Sequence, residues 1–256
     1  MAGARPGVHL VKLKPVVVSE GLIKGNKFIK WDDDSTVGTP VTLKVDSRGF
    51  ILFWKDQHKP EKDMDCLEIA LIRDTRTGRN ARTPKDPKLR DTVNMGSTDI
   101  PLEDKTVTIC YGTDLVSLNW VNFTSNAREV AREWTDELFK CATNLLRLNA
   151  SPLTFLEKAH NKLSLVLSGD GKIPVRNILR MFAAHKDDKK RVEKALEAAS
   201  LPAGRNDAIP PSKFTFEDLM RFYRHLVFRS EVDKIFHSLG AKKKLYLTAS
   251  KFVELF

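Results

Sequence analysis

The 256-residue chain has little cysteine: Cys66, Cys110 and Cys141 are all it carries. Three widely separated thiols exclude a disulfide framework and a zinc site of the usual spacing, and reduced cytosolic thiols are the simple reading. No run of about 18 apolar residues occurs, so no membrane-spanning helix is predicted. The stretch from Met1 to Val18 lacks a basic region followed by an apolar core, so it does not read as a secretory signal. Basic residues do not interleave with aromatics in a stripe, which argues against a nucleic-acid partner.

What is present fits folded, soluble structure. Hydrophobic residues make up 41% and charged residues 30%, and the length suggests about two domains. The net charge of +10 is unevenly spread. Residues 151–256 hold 20 Lys/Arg against 12 Asp/Glu, while the first 150 hold 23 against 21. A solvated surface is the plain reading of such an excess. Attraction to an anionic membrane surface or an acidic partner is the sharper one.

The first half reads as short strands broken by turn residues. Phe28–Trp31, Val41–Val45, Phe50–Lys55, Cys66–Ile72, Thr106–Tyr111 and Val116–Phe123 are rich in β-branched and aromatic residues. Asp46-Ser47-Arg48-Gly49 supplies one turn. The period then changes. Ala127, Val130, Ala131, Trp134, Leu138, Cys141, Ala142 and Leu145 recur at steps of three and four, which predicts one apolar helix face. Asn126 and Glu129 are placed to form a capping box at its start. Six or seven strands and one long helix with a central tryptophan resemble a pleckstrin homology domain, with Trp134 plugging the barrel.

Many such domains bind phosphoinositide headgroups through basic residues of the first two strands and their loop. Here Lys27, Lys30 and Lys44 supply some positive charge, but Asp32, Asp33 and Asp34 occupy the loop. Three adjacent carboxylates repel a multiply phosphorylated ligand. A second basic stretch, Ile72 to Lys88, contains Arg73, Arg76 and Arg79 and reads as a strand-end excursion. Those six basic residues are the candidate weak lipid or partner contacts.

The second half repeats a unit of helix, polar loop, aliphatic residue and helix. Ile173, Ile209 and Leu247 are spaced by 36 and 38 residues, and each is followed five residues later by Ile178, Phe214 or Phe252. This is the layout of an EF-hand, whose aliphatic residue at loop position eight pairs with that of its neighbour. Calcium requires carboxylates at positions one, three and five and a bidentate glutamate at twelve. The first loop offers Val166, Ser168, Asp170 and Asn177 there, and the second Pro202, Gly204, Asn206 and Lys213. The third offers Gly240, Lys242, Lys244 and Lys251. The loops therefore predict a helical scaffold without metal. The chain stops at Phe256, inside the expected second helix of the third unit. No cap closes that helix, and Leu247, Phe252 and Leu255 lack the pairing an EF-hand needs, so the front portion of a longer protein is expected.

Several stretches in order narrow the resemblance. Lys27-Phe28-Ile29-Lys30-Trp31-Asp32-Asp33-Asp34, Ile72-Arg73-Asp74-Thr75-Arg76-Thr77-Gly78-Arg79, Pro84-Lys85-Asp86-Pro87-Lys88-Leu89-Arg90, Asp170-Gly171-Lys172-Ile173-Pro174-Val175 and Gly240-Ala241-Lys242 resemble the N-terminal region of phospholipase C-beta. The likeness is greater to the beta-one and beta-three types than to beta-four. Ala184-His185-Lys186-Asp187-Asp188 departs by being slightly longer, which predicts a lengthened loop. The fold class implied is α+β in two domains: a pleckstrin homology β-barrel capped by a C-terminal helix over residues 16–149, then an all-α EF-hand-like array over 150–256 with an incomplete third unit.

The resemblance implies a phosphoinositide-specific phospholipase C, which cleaves phosphatidylinositol 4,5-bisphosphate to inositol trisphosphate and diacylglycerol. Its calcium-dependent catalytic barrel, with two histidines and acidic calcium ligands, belongs to a region beyond this sequence. His9, His58, His160, His185, His225 and His237 are scattered here, so no catalytic, cofactor-binding or metal-binding residue is assigned. Implied partners are Gq-class alpha subunits, G-protein beta-gamma dimers or Rac-type GTPases, and an anionic membrane surface. The implied location is cytoplasmic, peripheral at the inner face of the plasma membrane, and allows a nuclear pool. The alternative is a non-catalytic, stand-alone adaptor for membrane or GTPase partners.

Overall fold

The computed structural model describes residues 15, 17–33, 36–56, 64–94, 99–144, 151–238 and 248–253. His9, Asp34, His58, Leu145, Gly240, Ala241, Lys242, Lys244, Leu247 and Leu255 lie outside them, as does the side chain of Phe252. The described chain falls into two compact units, one reaching Asp170 and one starting at Gly171.

The first unit is built on seven antiparallel strands: β1 (Asn26–Trp31), β2 (Thr39–Val45), β3 (Ile51–Asp56), β4 (Met64–Glu68), β5 (Ile72–Arg76), β6 (Thr106–Tyr111) and β7 (Asn119–Thr124). Their order is β4-β3-β2-β1-β7-β6-β5, so β4 and β5 are the two edges. A 3-10 turn, Ile69–Leu71, joins those edges. It splits the predicted single strand Cys66–Ile72 in two. The Ile69 amide donates to the Phe50 carbonyl at 2.8 Å and the Gly112 amide to the Leu71 carbonyl at 3.0 Å, so the corner is pinned from both sides.

Alternation in β2 sends Val41, Leu43 and Val45 inward, where they meet Phe28, Leu52, Val107, Ile109, Val121 and Phe123. Helix α3 (Arg128–Ala142) then lays Ala131, Trp134, Leu138 and Cys141 onto this core. Trp134 is fully buried, stands edge-on to Phe28 at 5.4 Å, and donates its indole N–H to Asn26 Oδ1 at 2.9 Å. The predicted plug is there. The predicted capping box is not. Ala127 occupies the N-cap position of α3 with no side-chain cap, so neither Asn126 nor Glu129 closes the helix start. Ser125 serves that corner instead: its hydroxyl bonds the carbonyls of Lys105 and Ala127 at 3.2 and 2.7 Å.

The turn at Asp46 holds as expected, with its carboxylate accepting from the Arg48, Phe50 and Ile51 amides and Gly49 at φ +67°. Three further departures have local causes. The predicted strand Val116–Phe123 instead starts at Asn119, because Asp114 folds the preceding residues into a turn. The excursion begins as strand β5, paired with β6 across a bulge between Ile72 and Asp74. It continues into helix α2 (Pro87–Val93), capped by Asp86. A short helix α1 (Glu20–Lys24) precedes β1, capped by Ser19. Neither short helix carries an apolar period long enough to reveal it.

Helix α4 (Pro152–Leu165) packs in the first unit, where Lys162 Nζ reaches Glu68 Oε1 at 3.2 Å and Lys158 lies 5.8 Å from the Phe50 ring. The second unit contains α5 (Val175–Phe182), α6 (Lys186–Ala198), α7 (Phe216–Leu226), α8 (Ser230–Ser238) and α9 (Ala249–Val253). Its two-residue strands β8 (Ile173–Pro174) and β9 (Ala208–Ile209) pair antiparallel with Ile173 opposite Ile209, the pairing the repeat predicts. Both are fully buried with Ile178, and Phe214 is nearly so. Phe182 and Phe222 stack edge-on at 5.3 Å between α5 and α7. His185 to Asp188, expected to lengthen a loop, instead open α6: His185 is the N-cap, and the Asp188 carboxylate accepts its amide at 3.0 Å. The extra residues are absorbed as a capped helix start.

Trp134→Ala should lower the barrel's stability by about 3–5 kcal/mol, and Trp134→Phe by about 1–3 kcal/mol through the orphaned Asn26 amide. Urea unfolding followed by circular dichroism measures this. A loss under about 1 kcal/mol for the alanine variant would contradict the plug.

Candidate membrane and partner surface

The six basic residues picked from the sequence sit on four elements. Along β1, Phe28 enters the main core while Ile29 and Trp31 pack on a second, outer core with Leu89, Val93 and Leu102. Alternation therefore puts Lys27 on the outer face and Lys30 on the inner one. Lys44, between the inward Leu43 and Val45, is also outward. Its stem lies across Gly25, where a Cβ would meet Lys44 Cγ at 2.5 Å. The three lysines do not converge on a common point, and Lys30 Nζ is bonded to Asp32 Oδ2 at 2.7 Å.

The three arginines of the excursion have different roles. Arg73 is a clamp: its guanidinium donates to the Gly112 and Thr113 carbonyls at 3.0 and 3.1 Å, fixing the loop between β6 and β7. Arg76 pairs with Asp74 at 2.6 Å and lies over the Trp120 ring at 5.0 Å. Arg79 is exposed on the 3-10 turn Gly78–Asn80.

The residue that organises this surface was not singled out from the sequence. Arg82 lies 4.0 Å over the Trp120 ring and forms an ion pair with Asp33. The acidic loop and the basic excursion, read separately, are thus one assembly: Asp33, Arg82, Trp120, Arg76 and Asp74 in contact. Strand pairing brings it about. Trp31 lies opposite Asn122 across β1 and β7, so continuing β1 carries Asp33 to the level of Trp120. The signal lay in β7, where Val121 and Phe123 are inward and Trp120 must face outward, needing cover. Below it, buried polar residues bond one another: Thr108 Oγ1 donates to Asn122 Oδ1 at 2.8 Å, and Trp31 Nε1 to Thr124 Oγ1 at 3.0 Å.

Asp32 and Asp33 are therefore partly neutralised in place, and the excursion's positive charge is partly spent within the barrel. Arg128 likewise pairs with Asp104 at 2.7 Å. Burial pushes the Cys66 and Cys110 thiols up, so neither is an activated nucleophile. Among the described residues no group of three His, Cys, Asp or Glu side chains could hold a metal ion. No described helix is long and apolar enough to cross a membrane.

Residues 17–149 match the family model described as PH domain, and residues 156–227 match that described as Phosphoinositide phospholipase C beta1-4-like EF-hand domain. The chain belongs to the phospholipase C-beta family. It is 48% identical over 99% of its length to mouse (Mus musculus) 1-phosphatidylinositol 4,5-bisphosphate phosphodiesterase beta-1, covering 20% of that protein. Identity to the human (Homo sapiens) beta-4 enzyme is 33% over 91% of the chain and 19% of the relative, in line with the greater likeness to beta-one. The crystal structure of S. officinalis PLC21 superposes with a TM-score of 0.84 at 40% identity, covering 94% of this chain and 31% of that one. The chain thus spans about a fifth of the length of the curated relatives it matches. Barrel and EF-hand-like units follow in the family's order.

The Asp33–Arg82 pair is about one-third exposed on both sides, so its expected coupling is about 0.5–1 kcal/mol. A double-mutant cycle of Asp33→Asn and Arg82→Gln, read by urea unfolding at low and high salt, should show that coupling shrinking with salt. No coupling at low salt would mean that loop and excursion are not joined in solution.

Proposed function

We propose that this chain is the membrane- and G-protein-facing regulatory portion of a phospholipase C-beta. The full-length form hydrolyses phosphatidylinositol 4,5-bisphosphate to inositol trisphosphate and diacylglycerol in G-protein-coupled signalling. The observation that carries the reading is the ordered match of barrel and EF-hand-like array across nearly the whole chain to enzymes named for that hydrolysis. Catalysis belongs to the remainder of the full-length protein, where calcium is the cofactor. The degenerate loops here act as scaffold. In the first, Asp170 is engaged by the Ser168 hydroxyl; in the second, Asp207 Oδ2 accepts the Gly204 amide at 2.9 Å.

Partner choice follows from how the charges are used. Lys30, Arg73, Arg76 and Arg82 are engaged within the barrel, which supports weak, electrostatic attraction to anionic lipid rather than capture of one headgroup. The barrel's surface is then free to receive beta-gamma dimers or Rac-type GTPases, with the EF-hand-like region helping to engage Gq-class alpha subunits. The location is cytoplasmic and peripheral at the inner face of the plasma membrane, with a nuclear pool compatible with the same surface.

Calorimetric titration of the chain with beta-gamma dimers and with GTP-loaded Rac should show micromolar binding to at least one. The same preparation should release no inositol phosphate from phosphatidylinositol bisphosphate and show no calcium site tighter than ~1 mM. Absence of binding to both partner classes at high concentration would overturn the partner reading.

A further inference from the structure

The loop between β6 and β7 carries two adjacent apolar side chains at its tip, with Leu115 77% and Val116 90% exposed. A solvated loop of this length usually places polar residues there, and these two are held outward by a built scaffold. Asp114 Oδ1 accepts the Val116 amide at 2.7 Å and the Ser117 amide as well, and the Leu118 amide donates to the Val116 carbonyl at 3.1 Å. Gly112 lies beneath, where a Cβ would stand 2.5 Å from the Ser117 carbonyl oxygen, so the loop closes only over glycine. Arg73 grips the Gly112 and Thr113 carbonyls from β5. The tip is preformed.

We propose that Leu115 and Val116 form a wedge that enters the headgroup layer of an anionic lipid surface. Three observations favour lipid over a protein pocket or a second copy. The loop's exposed apolar side chains are Leu115, Val116 and the partly exposed Leu118, far fewer than a protein interface of ordinary size uses. The amides of Gly112, Val116, Ser117 and Leu118 and the carbonyls of Gly112 and Thr113 are bonded within the protein, which lowers the cost of taking those peptide units out of bulk water. Positive charge lies beside the loop: the Arg73 guanidinium rests on the Gly112 and Thr113 carbonyls. The one carboxylate of the loop, Asp114, is tied to two amides and sits near Arg73, and those amide bonds hold it below the usual carboxylate range.

The inference rests on the membrane reading above and adds to it a contact that salt does not screen. It is tested by co-sedimentation of the full chain with mixed phosphatidylcholine–phosphatidylserine vesicles across a salt series. Wild type should lose most binding as salt rises but keep a residual fraction. Leu115→Ser/Val116→Ser should reduce that salt-resistant fraction at least about fivefold, and Leu115→Trp/Val116→Trp should raise it, because the apolar area entering lipid changes in those directions. Substitutions at these exposed positions should leave the fold intact, which circular dichroism checks. Equal binding by wild type and the serine variant would overturn the wedge while leaving electrostatic attraction standing. No vesicle binding by wild type at any salt would overturn both. Concentration-dependent self-association in wild type, lost in the serine variant without change in vesicle binding, would assign the tip to a second copy and refute the proposal.

Discussion

The first unit depends on one buried contact, Trp134 against Phe28 with its indole N–H on Asn26. Seven antiparallel strands leave β4 and β5 as unpaired edges, and a sheet folded over on itself exposes an apolar end. A helix bringing a large aromatic to that end closes the core, and the bond to Asn26 keeps the indole's polar edge satisfied. Thr75 Oγ1 adds a second tie by donating to the Thr135 carbonyl at 2.9 Å, locking edge strand β5 to the helix. With helix and strands fixed, the loops at either end of the barrel have a rigid frame. The Arg73 clamp and the Asp33–Arg82 pair are both fastened to it.

That frame gathers two features at the same end of β6 and β7. Guanidinium groups over Trp120 meet the aspartates of the first loop, and opposite charges are consumed against each other. In the adjoining β6–β7 loop, a turn built on Asp114 exposes apolar residues beside Arg73. Basic composition alone would suggest a phosphate cage on the first two strands. The register rules against it, because Lys27 and Lys44 project from the face opposite Lys30. In the proposed function, net positive charge acts as a long-range attraction rather than as a binding site.

Much of the fold was legible because its strongest signals are periodic. The α3 stripe, the alternation in β2 and the spacing of Ile173 and Ile209 each reflect a face buried against one neighbour. What escaped was set by pairing between distant segments. No local pattern shows that Asp33 and Arg82 meet, since β1–β7 register decides it. Helix α2 is too short for a period and is stabilised by Asp86 at its start and by Leu89 and Val93 against Trp31. The capping box misled for the opposite reason: Asn126 and Glu129 have the right spacing, but Ser125 already anchors the corner and shifts the helix start to Arg128.

Lys30, Arg73, Arg76 and Arg82 are engaged within the barrel and Lys27 and Lys44 face away from Lys30, so no headgroup site is expected on the first two strands. Nuclear magnetic resonance of the isotope-labelled chain titrated with inositol 1,4,5-trisphosphate tests it most directly. The account predicts small amide shifts that do not saturate and are spread over exposed basic residues such as Arg48 and Arg79. A saturable set of shifts centred on Lys27, Lys30 and Lys44 would contradict it.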